Sequence, residues 1–566
     1  MTTVPFDPRP RGGVSHVIGD TATPLWHKTI PQVLAETAAS FPDREAVAFC
    51  AHGYRRTWRT FAADVDALAA GLAGLGLVKG DRIGIWSLNR PEWVLLQFAS
   101  AKIGLILVNI NPAYRLSELE FALKQVGCRA ILIADRFKTS DYIAMIRELA
   151  PELETSAPGS LQAARLPELR CVIRMGAERT PGMLNFDEVI KPDGNMAAID
   201  AIAESLDPDD PINIQFTSGT TGTPKGATLT HANIVNNGRF VVAAIRFSQE
   251  DRLCIPVPLY HCFGMVMGVL GCAAVGACMV FPDEAFEPLA TLQALAAEKC
   301  TAMYGVPTMF IAMLQHPEFA SFDLSTMRTG IMAGAPCPAA FMQRAMDDMN
   351  MRDVTIAYGM TETSPVSLQS AADDPMARRV GTVGRIHPHA EIRLVDAEGQ
   401  PVPIGETGEV YTRGYLVMQG YWNEPERTAE SIDADGFMHS GDLAVMDEDG
   451  YVRIVGRLKE MLIRGGESVY PREVEEFLYK HPKIQDVQIF GVPDQKFGEE
   501  VCAWVILKDG QTADDEEIRA FCRGQIAHYK VPRYIRFVEA LPMTVTGKPQ
   551  KFKMREAMVV ELGLAG

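Results

Sequence analysis

A chain of 566 residues, 47% hydrophobic and 22% charged, is too long for one ordinary core and too apolar to be disordered over a long span. Its net charge of -17 repels nucleic acid and anionic lipid, so neither is an expected partner, and an anionic substrate must find positive charge in individual side chains and loops. Eleven cysteines without a C-x-x-C pair give no support to a zinc site or disulfide framework, and fit reduced thiols in the cytoplasm.

The first twenty residues lack the apolar core of a secretory signal. Residues 82–88 read as a strand, 92–102 as a helix, 105–110 as a strand, 116–126 as a helix and 130–134 as a strand. Such alternation predicts an α/β fold with parallel sheets covered by helices. Residues 154–166, rich in Ser, Pro and Ala, read as a loop. The stretch 263–281 runs 19 residues without a charge, long enough to span a membrane. Four glycines interrupt it and Pro282-Asp283-Glu284 follows, so a buried helix turning into a buried strand is expected, with no integral membrane segment.

Near residue 390 the texture changes to short β-like runs separated by Glu398-Gly399, Glu406-Thr407-Gly408, Asp435-Gly436 and Asp449-Gly450, which predicts a small antiparallel β unit. Beyond Arg457, Pro471 opens a helix running to Tyr479. Strands at 487–490 and 501–507, a helix at 514–527 and a strand at 534–538 follow. The expected architecture is a large N-terminal domain over 1–457, of helix-covered sheets plus a small β unit, and a mobile α+β C-terminal domain over 458–566.

The strongest chemical signal is TSGTTGTPKG at 217–226, after the apolar run 212–216. Three glycines let the backbone turn so that consecutive N–H groups point into one anion-sized hollow, while five hydroxyls and one lysine add donors. It is not a Walker A loop, because G-x-x-x-x-G-K-[ST] is not matched. The string resembles the signature loop of the adenylate-forming superfamily: acyl-CoA synthetases, adenylation domains of peptide synthetases, and luciferases. Further motifs of that family recur in order, with YGMTE at 358–362, SGDL at 440–443, GRLKEMLIRGG at 456–466 and TGK at 546–548.

By this resemblance Thr217, Ser218, Gly219, Thr220, Thr221, Gly222, Thr223, Pro224 and Lys225 handle the phosphates of ATP, and Gly334, Ala335 and Pro336 lie along the adenine. Tyr358 offers a flat face for adenine, beside Gly359, and Thr361 a hydroxyl near phosphate. Glu362 supplies a hard oxygen for Mg2+. Asp442 can accept both ribose hydroxyls, and Arg457 matches the arginine that contacts the nucleotide. Taken alone, Tyr358 with Thr361 and Glu362 also fits a buried ring with a capping pair, and Asp442 fits a turn after Gly441.

The resemblance makes Lys459 a hinge and Lys548 the catalytic lysine of the first half-reaction. A carboxylate and an α-phosphate repel, and an ammonium between them contributes roughly 4 kcal/mol per contact at ~4 Å and an effective dielectric of ~20. GGES at 465–468 could be taken for a phosphopantetheine attachment string, but its position after the hinge makes Gly465 and Gly466 the lining of a channel for coenzyme A. PLYHCFG at 258–264 matches the stretch leading into the acyl pocket, with His261 and Phe263 lining or gating it; taken alone, His261 also fits a satisfied core histidine. The following residues carry no carboxylate to hold a substrate ammonium, which favours an apolar acid over an amino acid. With NPAY at 111–114, the chain looks most like medium-chain fatty acyl-CoA synthetases. Ligation of an aryl or short sulfur-containing acid, or donation of the adenylate to a carrier protein, stays open, as does a homodimer.

Overall fold

The computed structural model describes residues 7–192, 194–217, 224–335, 337, 339–465, 467–544 and 548–564. Ser218, Gly219, Thr220, Thr221, Gly222, Thr223, Pro336 and Gly466 lie outside the described residues, as do Thr546 and Gly547.

Runs that are apolar at nearly every position, such as Arg82–Trp86 and Ile106–Asn109, are the pattern of strands covered on both faces. They sit inside an eight-stranded sheet ordered Leu184–Asn185, Cys171–Arg174, Cys128–Ile133, Arg82–Trp86, Ile106–Asn109, Pro211–Thr217, Lys225–Thr230 and Gly420–Tyr421. Pairing is parallel as far as Pro211–Thr217, then antiparallel. A nine-stranded sheet has the parallel centre Asp353–Gly359, Thr329–Ala333, Ala302–Gly305, Arg252–Cys254, Cys278–Phe281 and Glu45–Phe49.

Helix His231–Ala244 lies between these sheets and touches strands of both. Thr230 caps it, its hydroxyl accepting from the Asn233 amide at 3.1 Å. The helix packs on the segment Phe263–Leu270, whose widened π-helical turns continue into Gly271–Val275 and then strand Cys278–Phe281. The uncharged stretch is thus a buried helix turning into a strand. Contact is close because Gly238 has no side chain: a Cβ there would stand 2.9 Å from the Val266 carbonyl oxygen. Among the described residues no helix is long and apolar enough to cross a membrane.

The antiparallel unit pairs His16–Ile18, Ala390–Val395, Thr407–Gly414, Met438–Met446 and Val452–Arg457 in that order. Thr407 and Gly408 belong to a strand here and not to a turn; the reversal falls one step earlier, at Gly405 with φ +86°.

Beyond it, strands Glu467–Val469, Leu462–Arg464, Gly498–Leu507, Ile484–Asp494 and Tyr534–Phe537 form a sheet with cores of its own. Alternation along Ile484–Asp494 sends Val487 and Ile489 to one core and Phe490 and Val492 to the other. Helices Pro471–Leu478 and Asp515–Cys522 cover the first, and Met554 and Met558 of helix Lys551–Glu561 close the second. The helix expected over 514–527 ends at Cys522, because Arg523 is extended and Gly524 turns left-handed at φ +73°.

Candidate active site

Strand Pro211–Thr217 delivers Thr217 to the mouth of the signature loop, and the turn Thr361–Thr363 after strand Asp353–Gly359 delivers Glu362 beside it. The Thr217 hydroxyl donates to Glu362 Oε1 at 3.1 Å, and the Tyr421 hydroxyl donates to the same oxygen at 3.0 Å. Lys225 holds its ammonium 4.7 Å from the centre of the Tyr421 ring. Glu362 is buried, and its second oxygen accepts no hydrogen bond among the described residues. Nothing in the sequence pattern had drawn attention to Tyr421; only its place on the edge strand beside Lys225–Thr230 does.

Asp442 lies on strand Met438–Met446, directly across from Arg457 on the last strand of the antiparallel unit. It is not in a turn. Its Oδ1 accepts from Arg457 Nε at 2.9 Å and its Oδ2 from the Tyr358 hydroxyl at 2.7 Å. Asp442 raises the pKa of the exposed Arg457, while burial and the Asp442 charge lift the Tyr358 hydroxyl well above its usual range. One carboxylate therefore ties the ring of Tyr358 to the guanidinium of Arg457. Gly359 follows Tyr358 at the strand end, and Gly334 turns at φ +84° just beyond the neighbouring strand Thr329–Ala333, with Ala335 accepting from Cys337 Sγ at 3.3 Å.

Lys548 comes to this cluster from the C-terminal part. Desolvation by the surrounding protein and the Arg457 charge depress its pKa, while Asp442 and Glu362 pull the other way. All three charges thus act on its ammonium, although the residue as a whole is exposed. The backbone beneath it is braced: Lys548 N donates to Thr544 Oγ1 at 2.9 Å, and Thr544 N to Lys548 O at 2.8 Å.

His261 lies on the apolar side of the cluster. Burial, with Lys548 adding to it, pushes its pKa down to about 3, so the imidazole is neutral at any working pH. Its Nε2 is buried without a partner among the described residues. Phe263 stacks on Tyr304 with ring centres 5.6 Å apart, and the residues from Gly264 to Leu270 are all buried. A neutral donor or acceptor beside an apolar wall suits an uncharged acyl group better than an ammonium.

Arg457 and Lys459 stand on opposite sides of Leu458, and the Arg457 carbonyl accepts from the amides of Glu460 and Met461 at 3.0 and 2.9 Å. Gly465 sits at φ +61°, and a Cβ there would lie 3.0 Å from Phe497 Cδ1. Gly465→Ala is expected to destabilise the C-terminal part by about 1–2 kcal/mol through left-handed strain and crowding. A lowered urea midpoint checks this; an unchanged midpoint would show that Phe497 yields without penalty.

The AMP-binding enzyme family matches residues 34–422, and its C-terminal domain matches residues 473–548. The chain belongs to the AMP-binding enzyme family. It is 48% identical to the protein YngI of Bacillus subtilis over 544 residues, covering 96% of this chain and 99% of YngI. It is 47% identical over 555 residues to the mitochondrial medium-chain acyl-CoA ligase ACSF2 of Danio rerio, covering 97% and 91% of the two chains. Among solved structures it is similar to the anthranilate CoA ligase AuaEII in complex with anthranoyl-AMP, with a TM-score of 0.84, 27% identity, and 96% and 99% of the chains covered. That likeness runs through both the large N-terminal and the smaller C-terminal parts of this enzyme.

Proposed function

We propose that this enzyme joins a medium-chain fatty acid to coenzyme A with ATP, by way of an acyl-adenylate. The acid carboxylate attacks the α-phosphorus of ATP and pyrophosphate leaves. The coenzyme A thiol then attacks the acyl carbonyl and AMP leaves. One arrangement carries the reading: Asp442 joins the Tyr358 hydroxyl at 2.7 Å and the Arg457 guanidinium at 2.9 Å, and the charges of Arg457, Asp442 and Glu362 all act on Lys548. An ammonium among those groups can bridge the substrate carboxylate and the α-phosphate, and charge that concentrates in the transition state makes the bridge lower the barrier.

Asp442 holds the ribose hydroxyls, Tyr358 and the Gly334-Ala335-Pro336 segment flank the adenine, and Thr217 to Lys225 surround the outer phosphates. Thr361 adds a hydroxyl near phosphate. Glu362 suits Mg2+, since its second oxygen has no partner among the described residues and Mg2+ bound to nucleotide needs only one or two carboxylates. Such a cation supplies charge neutralisation on the phosphates. The domain boundary falls between Arg457 and Leu458. Turning about Lys459 withdraws Lys548 and opens a path for coenzyme A past Gly465 and Gly466. His261 and Phe263 wall the acyl pocket, and the enzyme works in the cytoplasm.

The test is pyrophosphate release and thioester formation across fatty, aryl and short sulfur-containing acids. The expected result is the highest kcat/KM for medium chains, with coenzyme A as acceptor. A preference for aryl acids overturns the chain-length assignment, thioester formed only on a carrier protein overturns the acceptor, and no pyrophosphate with any acid ends the proposal.

A pH profile adds a second check. Lys548 must be protonated to bridge two anions, and its pKa in the free enzyme lies below the ordinary lysine value. The first half-reaction is therefore fully active at lower pH and declines as pH rises through that depressed pKa, so the alkaline limb of kcat/KM falls below about 10.4. A limb at or above that value would contradict the assignment.

A further inference from the structure

Three residues past Lys548, Lys551 opens the helix Lys551–Glu561 and directs its ammonium inward. Nζ donates to Glu475 Oε1 at 2.7 Å and lies 3.4 Å from Glu460 Oε2. Glu475 is buried in helix Pro471–Leu478, and the same Oε1 accepts from the Ile489 amide at 2.8 Å, within strand Ile484–Asp494. Burial disfavours charge on Lys551, but Glu475 and Glu460 together outweigh it and hold its pKa above the ordinary range. Glu460, for its part, is the residue immediately after Lys459.

We infer that Lys551 is a positioning residue, which ties the loop carrying Lys548 and the segment leaving Lys459 to one buried carboxylate. Between Lys551 and Lys548 little freedom remains. Gln550 N donates to Pro542 O at 2.8 Å, Pro549 pairs with Met543 across a β-bridge, and Thr544 holds the Lys548 backbone at both its N–H and its C=O. A shift of the Lys551 ammonium is thus passed to Lys548 as a rigid displacement. Through Glu460 the same ammonium refers the loop to the start of the C-terminal part, so that the angle set at the hinge determines where Lys548 arrives. The apolar contacts of Met554 and Met558 hold the helix on its sheet, and the ion cluster fixes its first residue.

The inference rests on the role proposed for Lys548, and the experiment separates the two. Lys551→Met, Lys551→Arg, Glu460→Gln and Lys548→Ala are compared in pyrophosphate exchange and in thioester formation from supplied acyl-AMP. Misplacing a reacting group by about 1 Å costs up to ~100-fold. Lys551→Met is therefore expected to lower kcat of the first half-reaction by ~10–100-fold, with KM for ATP and the second half-reaction each changed less than ~2-fold. Lys551→Arg restores a substantial part. Glu460→Gln, on the more exposed arm of the cluster, leaves the fold intact and gives a smaller but equally selective loss. A fall of both half-reactions together with the thermal midpoint would reduce Lys551 to a structural role and overturn the inference. So would an unaffected first half-reaction in Lys551→Met and Glu460→Gln while Lys548→Ala abolishes it. If Lys548→Ala itself leaves the first half-reaction intact, the reading of the site fails and the inference falls with it.

Discussion

Lys548→Ala is expected to lower acyl-adenylate formation by about 10²–10³-fold while thioester formation from supplied acyl-AMP continues near its normal rate. Two anions have to meet at bond-forming distance, and Glu362 and Asp442 add negative charge around them. Loss of the Lys548 ammonium removes roughly 4 kcal/mol of stabilisation where the charge is most concentrated. Thiol attack on a formed adenylate needs no such bridge. Pyrophosphate exchange and a coupled thioester assay on one preparation read the two steps separately. An equal fall in both would sink the division of labour, because it would mean that Lys548 serves the fold or both reactions alike.

Asp442→Ala should have the next largest effect. The carboxylate accepts from the Tyr358 hydroxyl and the Arg457 guanidinium, and it is buried while Arg457 is 62% exposed. Arg457 can return to water, whereas Tyr358 loses the partner that fixes its ring. In the ribose-binding role proposed for Asp442, charged hydrogen bonds of about 1.5–3 kcal/mol each are lost, so KM for ATP is expected to rise by ~100-fold or more. KM for the acid should stay within a few-fold. Titrating ATP in the exchange assay gives the answer, and an unchanged KM would remove Asp442 from the nucleotide site.

The sequence was most informative where physics acts locally. Continuous apolar runs marked the parallel strands, and Pro471 marked a helix start to the residue. Boundaries governed by a single glycine were harder. Gly405 moved a turn, and Gly524 ended a helix five residues before the position its apolar pattern suggested. The site divided along similar lines. Glu362, Asp442, Arg457 and Lys548 stood out because each belongs to a motif string. Tyr421 did not, since its contact with Glu362 follows from sheet pairing between Lys225–Thr230 and Gly420–Tyr421, which no periodicity announces. Glu475 and Lys551 were equally silent: a charged pair reads as solvated surface until the packing encloses it.

The last strand of the antiparallel unit ends at Arg457, and the next strand begins at Leu462. The part of the chain that carries Lys548 follows directly from this short segment. One added residue lengthens an extended chain by as much as ~3.5 Å, enough to carry an ammonium past its targets, and one deletion shortens it as much. The spacing of these few positions is accordingly a constraint of the same rank as the identity of the lysine, and substitutions should be tolerated there far better than insertions or deletions.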